Sequence, residues 1–153
     1  MNHVTKKGEF DKLVIVATAV VLLVAGFDTT GTTMAYACYQ LAKNPEVQER
    51  LREEIEDIYG GDLSGDITYD DLHDMTYLDQ VICETLRFHN PAGVNQRNAH
   101  KDYKVPGHDL VIQKDVQVWI NVVAVHMDPK HYPNPYVWNP DQFSKEAKAK
   151  RHP

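Results

Sequence analysis

The residues best suited to chemistry lie in the least polar part of the chain, in the stretch VAGFDTTGTTMA. Asp28 is the one charged residue between positions 13 and 42, and Thr29 and three further threonines follow it closely. On a helix, Ala25 and Gly26 lie one turn before Thr29, which predicts a notch bordered by a hydroxyl and a carboxylate. A carboxylate beside such a gap is a candidate for handling protons.

The same stretch also has a purely structural interpretation. A threonine hydroxyl can donate to the carbonyl oxygen four residues back, so Thr29 would bond Ala25 and bend the helix locally. Asp28 would then be paired with a cation elsewhere in the fold, because buried polar groups are normally hydrogen-bonded structure. From these residues alone, both interpretations stay open.

A second candidate group is the pair Glu84 and Arg87 in ETLR, which are three residues apart and therefore share a helix face. Glu49 and Arg52 repeat this spacing in a polar segment, where a solvent-exposed surface pair is expected. Apolar residues flank Glu84 and Arg87, which predicts a buried or half-buried pair that fixes geometry rather than performing chemistry.

Long helices are predicted to position these groups. Residues 10–42 form one helix that is apolar nearly all round, which predicts burial on most of its faces. A membrane span is the alternative, and Asp28 at its centre disfavours it. The second helix lies in NPEVQERLREEIEDIYG, with Asn44 as its N-cap and Gly60-Gly61 at its end.

The third helix, residues 76–88, carries Glu84 and Arg87 and ends at Asn90-Pro91, because proline disfavours helical geometry in the residue before it. Four of its apolar side chains are predicted to point inward: Leu78, Val81, Ile82 and Leu86.

The remaining segments are short. An acidic loop over residues 62–74 contains one helical turn at YDDL. KDYKVPGHDLVI predicts a pair of short strands, DVQVWI a further strand, and NVVAVHM a short helix before a proline-rich irregular stretch. Helices followed by small strands indicate a mainly α, α+β fold in a single domain over residues 1–153.

Composition argues against several classes of function. The formal net charge of −6, with KEAKAKR as the only basic cluster, argues against a nucleic-acid partner. That basic tail is expected to be solvated surface. Cys38 and Cys83 form no metal or redox motif, and the spacing of His126 and His131 does not place both on one helix face.

Each motif is weak alone, but their order along the chain is specific. AGFDTT in an apolar helix is followed by NPEVQERLREEI, ETLR, Arg97, HMDPKHYPNP and WNPDQF. From about Phe10 to Phe143 this order resembles the cytochrome P-450 family of haem-thiolate monooxygenases, and most closely the microsomal animal members that oxidise lipophilic compounds. The resemblance implies part of the cytochrome P-450 fold, with residues 10–42 as its long oxygen-binding helix.

The resemblance also implies roles for particular residues of this helix. Ala25 and Gly26 would leave room for dioxygen beside the haem. Thr29, with Thr30, would hydrogen-bond the oxygen that is being activated, and Asp28 would belong to the route that delivers protons.

Outside that helix, Glu84 and Arg87 match the family's ExxR pair, which locks the core and takes no part in redox chemistry. Arg97 would bind a haem propionate through a charge-assisted hydrogen bond. Residues 91–94 would line the substrate pocket.

Two departures from the family pattern bear on these expectations. Gln142 in WNPDQF stands where the family has an arginine, which predicts a looser network around Glu84 and Arg87. The chain as given ends at Pro153, before the glycine-rich loop whose cysteine thiolate binds the iron, and neither cysteine of the chain has that context. We therefore expect a segment of a longer enzyme, inactive in isolation and without a metal ligand of its own.

By the same resemblance, the complete enzyme would use haem b, O2 and a lipophilic substrate. Electrons would come from NADPH through a cytochrome reductase, with cytochrome b5 as a second candidate donor. The enzyme would be anchored in the endoplasmic reticulum membrane on the cytosolic face. Two other hypotheses stay open: an inactive truncated product that acts as a helical interaction module, and a membrane-anchored binding domain that uses residues 13–42 as its span.

Overall fold

The computed structural model describes residues 12–60 and 67–150. Within these ranges, the predicted helices and strands are present in the predicted order, together with the strand Val94–Asn98 and the helix Lys145–Lys150, which were not predicted. Their bounds are α1 Lys12–Lys43, α2 Pro45–Tyr59, α3 Tyr69–Asp74, α4 Thr76–Phe88, β1 Val94–Asn98, β2 Tyr103–Lys104, β3 Val111–Ile112, β4 Gln117–Asn121, α5 Val122–His126, a 3-10 helix Pro140–Phe143 and α6 Lys145–Lys150. The mainly α fold with small antiparallel sheets is as predicted. The predictions for residues 10–11, for Gly61, for the first part of the acidic loop and for residues 151–153 lie outside the described residues.

α1 is one continuous helix, as predicted, but its expected burial on most faces is wrong. Gln40 is its only buried residue, and apolar side chains such as Leu22 (69% exposed) face outward. α2 and α4 pack against α1, and its partly buried residues lie between Thr32 and Leu41. A helix that is apolar all round needs cover on every side, and these two elements cover part of one end.

α2 begins after Asn44 and ends at Gly60, whose left-handed backbone (φ 62°) closes the helix as predicted. The Asn44 side chain does not cap α2. Its amide instead donates to the carbonyl oxygen of Gln40 in α1 (2.8 Å), so it links the two helices at their junction.

The core lies between α2, α4 and the segment before the 3-10 helix, and consists of Leu51, Tyr77, Val81 and Trp138. In α4, Val81 points inward and Leu78 is partly buried against this core, as predicted. The prediction for Ile82 and Leu86 is wrong, because both are exposed and face an open cavity beside α1.

The first turn of α4 is capped from another helix. Met75 precedes the helix and has no side-chain acceptor for its orphan N–H groups. The carboxylate of Glu54 in α2 accepts from the backbone nitrogens of Tyr77 (2.6 Å) and Leu78 (2.9 Å) instead. These two hydrogen bonds fix the start of α4 on α2.

Two small antiparallel sheets follow α4. β2 pairs with β3 as the predicted hairpin, and β4 pairs with β1, with Arg97 opposite Val118. The sequence VNQRN of β1 was not predicted as a strand, because it shows no alternation of apolar and polar residues. α5 is confirmed, whereas α6 forms a helical turn where only solvated surface was expected.

Candidate functional site

Three threonines of α1 form a row in which each hydroxyl donates to a backbone carbonyl oxygen of the same helix. The hydroxyl of Thr29 donates to the carbonyl oxygen of Ala25 (2.6 Å), as predicted, and Thr18 and Thr33 bond their own i−4 carbonyls in the same way. A hydroxyl has one proton to donate, so Thr29 is left with acceptor capacity on its oxygen.

Beside this row lies a cavity of about 450 Å³ between α1 and the segment that contains α4 and Pro91. Its lining residues are Thr29, Thr30, Thr33, Met34, Ala37, Ile82, Leu86 and Pro91. The structure thus brings together two predicted oxygen-handling residues, Thr29 and Thr30, and one predicted pocket residue, Pro91. Because the hydroxyls of Thr29 and Thr33 are engaged by the helix backbone, the cavity wall is largely apolar.

The other predicted residues of α1 do not line this cavity. Ala25, Gly26 and Asp28 are exposed on the helix surface, and a side chain built at Gly26 would meet no atom within 4 Å. In the part of the chain that the structure describes, no ion pair includes Asp28. The notch predicted around Gly26 is therefore open to solvent, and the cation expected for Asp28 is not found there.

Glu84 and Arg87 form a buried bidentate pair, as predicted from their neighbours. The Arg87 Nε atom lies 2.7 Å from Glu84 Oε2, and Nη2 lies 2.7 Å from Oε1, with side chains 1% and 0% exposed. The pair Glu49 and Arg52 lies on the surface, with an Nε–Oε2 distance of 3.4 Å and side chains more than half exposed. Equal spacing has thus produced a buried pair in α4 and a solvated one in α2.

The buried pair organises the irregular segment that follows α5. Arg87 Nη1 donates to the carbonyl oxygens of His126 (2.9 Å) and Pro135 (2.9 Å), and Nη2 donates to that of Val137 (3.4 Å). Glu84 Oε1 accepts from the backbone nitrogen of Asn139 (2.8 Å). One charged pair therefore fixes the path of the chain from α5 to the 3-10 helix.

The hydrogen-bond network around Glu84 and Arg87 was expected to be loosened by Gln142. The distances between the two paired side chains are nevertheless short. Gln142 lies in the 3-10 helix, one turn after Asn139. Both Glu84–Arg87 distances are short, and each guanidinium nitrogen of Arg87 has an acceptor. Backbone carbonyls supply these contacts, so a third charged side chain is not required to hold the pair.

Two histidines lie at the C-terminal end of α4. His126 Nδ1 donates to the carbonyl oxygen of Arg87 (3.2 Å), and burial lowers the pKa of His126. The ring of His89 stacks on Tyr36 of α1, and burial, with Lys43 nearby, lowers the pKa of His89. Both imidazoles thus lie where burial disfavours their charged form.

Arg97 lies on β1 and is exposed, outside the cavity lining. Its Nη1 atom donates to the carbonyl oxygen of Gln96 (2.7 Å), and a guanidinium carries five N–H donors in all.

A flat apolar cofactor such as haem fits one side of this arrangement. The wall formed by Thr29, Thr30 and Leu86 is apolar and open, and Arg97 offers a charge for an acidic group. Neither Cys38 nor Cys83 lines the cavity, and the described residues contain no cluster of His, Cys, Asp or Glu that could hold a metal. The residues that line the cavity therefore fit an apolar face of such a group, and none of them is a cysteine or a histidine.

The family model for cytochrome P-450 matches residues 1–153, and the chain belongs to the cytochrome P-450 family. It is 46% identical over 145 residues to cytochrome P-450 6B2 of Helicoverpa armigera, which covers 95% of this chain and 29% of that protein. It is 46% identical over 136 residues to cytochrome P-450 6a9 of Drosophila melanogaster, covering 88% of this chain and 27% of that protein.

A third relative, cytochrome P-450 6B1 of Papilio polyxenes, is 41% identical over 152 residues, covering 99% of this chain and 30% of that protein. The chain thus spans less than one third of the length of each of these relatives.

Sequence reasoning missed four residues around the cavity. Ile82 and Leu86 were assigned to the core, although their helical spacing also fits a wall that faces α1. Gln40 and His89 join α1 to the end of α4, and nothing in the sequence indicates that they contact each other. A polar residue near the end of an apolar helix was the one available hint.

Proposed function

We propose that this chain forms one side of the oxygen-activating site of a haem-dependent monooxygenase that inserts one atom of O2 into a lipophilic organic substrate. The observation that carries the proposal is the apolar cavity in which Thr29 and Thr30 of α1 face Pro91 and the exposed side of α4. Membership of the cytochrome P-450 family supports the same conclusion.

In this proposal the haem supplies the redox chemistry, and the chain supplies positioning and protons. Thr29 accepts a hydrogen bond on its oxygen while its own hydroxyl proton is donated to the carbonyl oxygen of Ala25, and Thr30 offers a hydroxyl that can donate. Asp28, exposed one residue earlier, takes up protons from solvent and passes them toward Thr29. The wall formed by Ile82, Leu86 and Pro91 excludes water and binds apolar substrate.

The remaining roles concern the cofactor and its partners. Ala25 and Gly26 leave space beside the oxygen-binding position, and Arg97 binds a haem propionate. Glu84 and Arg87 lock the fold without taking part in redox chemistry. The cofactor is haem b, and electrons come from NADPH through a reductase, with cytochrome b5 as a second donor. The complete enzyme lies in the endoplasmic reticulum membrane, facing the cytosol.

The proposal is tested with the full-length protein that carries this chain. Reduction in the presence of carbon monoxide should give the absorption band of a thiolate-ligated haem, and substrate should stimulate O2 consumption. The isolated 153-residue chain should give no stable band of this kind. A full-length protein that is folded and binds no haem would contradict the proposal.

A pair of matched variants tests the role of Thr29. Thr29→Val removes the hydroxyl from the cavity, and Thr18→Val removes an equally back-bonded hydroxyl elsewhere on α1. We expect product formation to fall by about 10²-fold for Thr29→Val, the size of a general acid–base contribution, and to stay unchanged for Thr18→Val. Equal losses in both variants would assign the effect to helix stability.

A second candidate function follows from the exposure of α1. α1 is long and apolar enough to cross a membrane, and its most apolar window has no buried residue. A membrane-anchored helical binding module would use α1 as its span. Carbonate-resistant membrane association of the chain, strengthened by Asp28→Leu, would favour this module, since a central carboxylate opposes insertion. Release by carbonate would exclude a span.

A further inference from the structure

The one buried residue of α1 is polar. Gln40 is 4% exposed, although α1 is otherwise composed mainly of apolar side chains that face outward. Its Nε2 atom lies 2.8 Å from Nε2 of His89, one residue beyond α4. An amide nitrogen can only donate, so the imidazole nitrogen accepts and His89 is neutral. A buried polar side chain at this position requires a partner, and His89 is that partner.

His89 is also held by a second residue of α1. Its ring stacks on Tyr36 with a centroid distance of 4.0 Å and an angle of 6° between the planes. We call Tyr36, Gln40 and His89 the clamp. It combines one hydrogen bond with one stacked contact, and both connect the same two segments.

The clamp is continuous with both walls of the cavity. Along α1, Tyr36 and Gln40 follow Thr29 and Thr33 at helical spacing, so all four share one face of the helix. On the opposite side, His89 lies in sequence between Leu86 and Pro91, which line the other wall.

We propose that the clamp sets the separation of α1 from the α4–Pro91 segment, and thereby the width of the apolar ligand that the cavity admits. Tyr36, Gln40 and His89 are positioning residues that act through Thr29, Leu86 and Pro91. The proposal rests on the proposed function in one respect, that the ligand in this cavity is the substrate.

The chain offers a direct measurement of this separation. Its only two cysteines, Cys38 and Cys83, lie on α1 and α4. Spin labels on both report the distance between the helices by dipolar electron paramagnetic resonance, and this requires no haem. We expect a narrow distance distribution in the 153-residue chain when detergent keeps it monomeric. A broad distribution in the unmodified chain would overturn the proposal.

Variants of the clamp then separate positioning from general stability. Gln40→Met keeps the volume but leaves the His89 nitrogen without its donor, so we expect the narrow distribution to be lost. The double variant Gln40→Met with His89→Phe removes both polar partners and keeps a ring against Tyr36, so the narrow distribution should return. Gln48→Met, at an exposed position of α2, is the matched control.

Either of two results from these variants would overturn the proposal about the clamp. One is a distance distribution in Gln40→Met equal to that of the unmodified chain. The other is a distance distribution in the double variant that is no narrower than in Gln40→Met. Circular dichroism of each variant verifies that the helices are intact.

A second arm uses the full-length haem protein and two apolar probes of different width, benzene and naphthalene, whose binding perturbs the haem spectrum. We expect the affinity ratio to shift toward naphthalene in Gln40→Met and to return in the double variant. An unchanged ratio would overturn the claim about ligand width. Absence of haem from the unmodified full-length protein would contradict the proposed function, and the spin-label result would still decide the clamp.

Discussion

At the scale of single residues, two ion pairs with equal spacing differ in what surrounds them. Glu84 and Arg87 are buried and share their hydrogen bonds with four backbone groups, one at the end of α5 and three in the segment after it. Glu49 and Arg52 are solvated. A buried pair stabilises mainly because losing one partner leaves the other charged and desolvated.

We expect Arg87→Ala to lower the free energy of unfolding by about 3–5 kcal/mol, because Glu84 would remain buried without its counter-ion. Arg52→Ala should lower it by at most about 1 kcal/mol, since water replaces the lost contact. Urea denaturation of the two variants in one detergent-containing buffer, monitored by circular dichroism, measures both free energies. Similar losses in the two variants would contradict the difference in burial.

The environment of the buried pair could be predicted from sequence, because apolar residues flank ETLR on the same helix. The partners of Gln40 and His89 could not be predicted, since they are 49 residues apart and meet only in the folded chain. The same holds for the carbonyl acceptors of Arg87, which come from the end of α5 and from the irregular segment after it.

At the scale of elements, α4 is the helix that other parts of the chain contact at its start, its middle and its end. Glu54 of α2 caps its start, the Glu84–Arg87 pair anchors its middle, and His89 and His126 pack at its end. Its bounds were predicted correctly, because Asn90-Pro91 stops it and its apolar spacing is regular. The cap was not predictable, since it comes from a different helix.

We expect Glu54→Ala to lower the free energy of unfolding by about 1–2 kcal/mol, the usual range for loss of a helix cap. Glu53→Ala, which removes an exposed carboxylate from the neighbouring position, should have little effect. Amide hydrogen exchange at Tyr77 and Leu78 locates the change. Unaltered protection of these two amides in Glu54→Ala would show that the carboxylate does not cap α4.

The two histidines at the end of α4 make stability depend on pH. Burial lowers the pKa of His89 and of His126, so the unfolded chain binds protons more readily than the folded chain. The free energy of unfolding should therefore fall as the pH drops through about 6.5, the ordinary histidine pKa, and level off below the folded pKa values.

Urea midpoints measured between about pH 8 and pH 5, a range that brackets the ordinary histidine pKa, test this dependence. His89→Phe should reduce the slope, and His100→Phe, at an exposed position, should leave it unchanged. A midpoint that stays constant or rises toward acid pH would contradict the assignment.

At the scale of the whole molecule, the main failure of prediction concerns α1. Its composition predicted burial, because an apolar helix in water requires cover. Sequence periodicity identifies which faces need cover but does not say which elements supply it. In the described residues, α2 and α4 pack near the C-terminal end of α1, and the apolar side chains before Gly26 remain exposed.

This exposure predicts how the chain behaves in solution. An apolar patch of this extent drives association, so we expect the 153-residue chain to form large assemblies in water and to become monomeric in detergent. Sedimentation velocity with and without detergent measures this. Replacing exposed Leu22 and Leu23 with glutamate should reduce the assemblies in water, whereas the same change at exposed, polar Gln113 should not. A monodisperse monomer in plain buffer would contradict the exposed state of α1.

The four backbone contacts of the Glu84–Arg87 pair also bear on the order in which the chain folds. The carbonyl acceptors of Arg87 lie 39 to 50 residues further along the chain. On a ribosome, α4 would therefore emerge with its Glu84–Arg87 pair well before the backbone carbonyls that accept from Arg87 and enclose the pair. Closing so long a loop costs entropy before any contact is gained, so this region should be the last to become protected. Pulse-labelled hydrogen exchange during refolding would reveal the delay, and early protection of the Asn139 amide would rule it out.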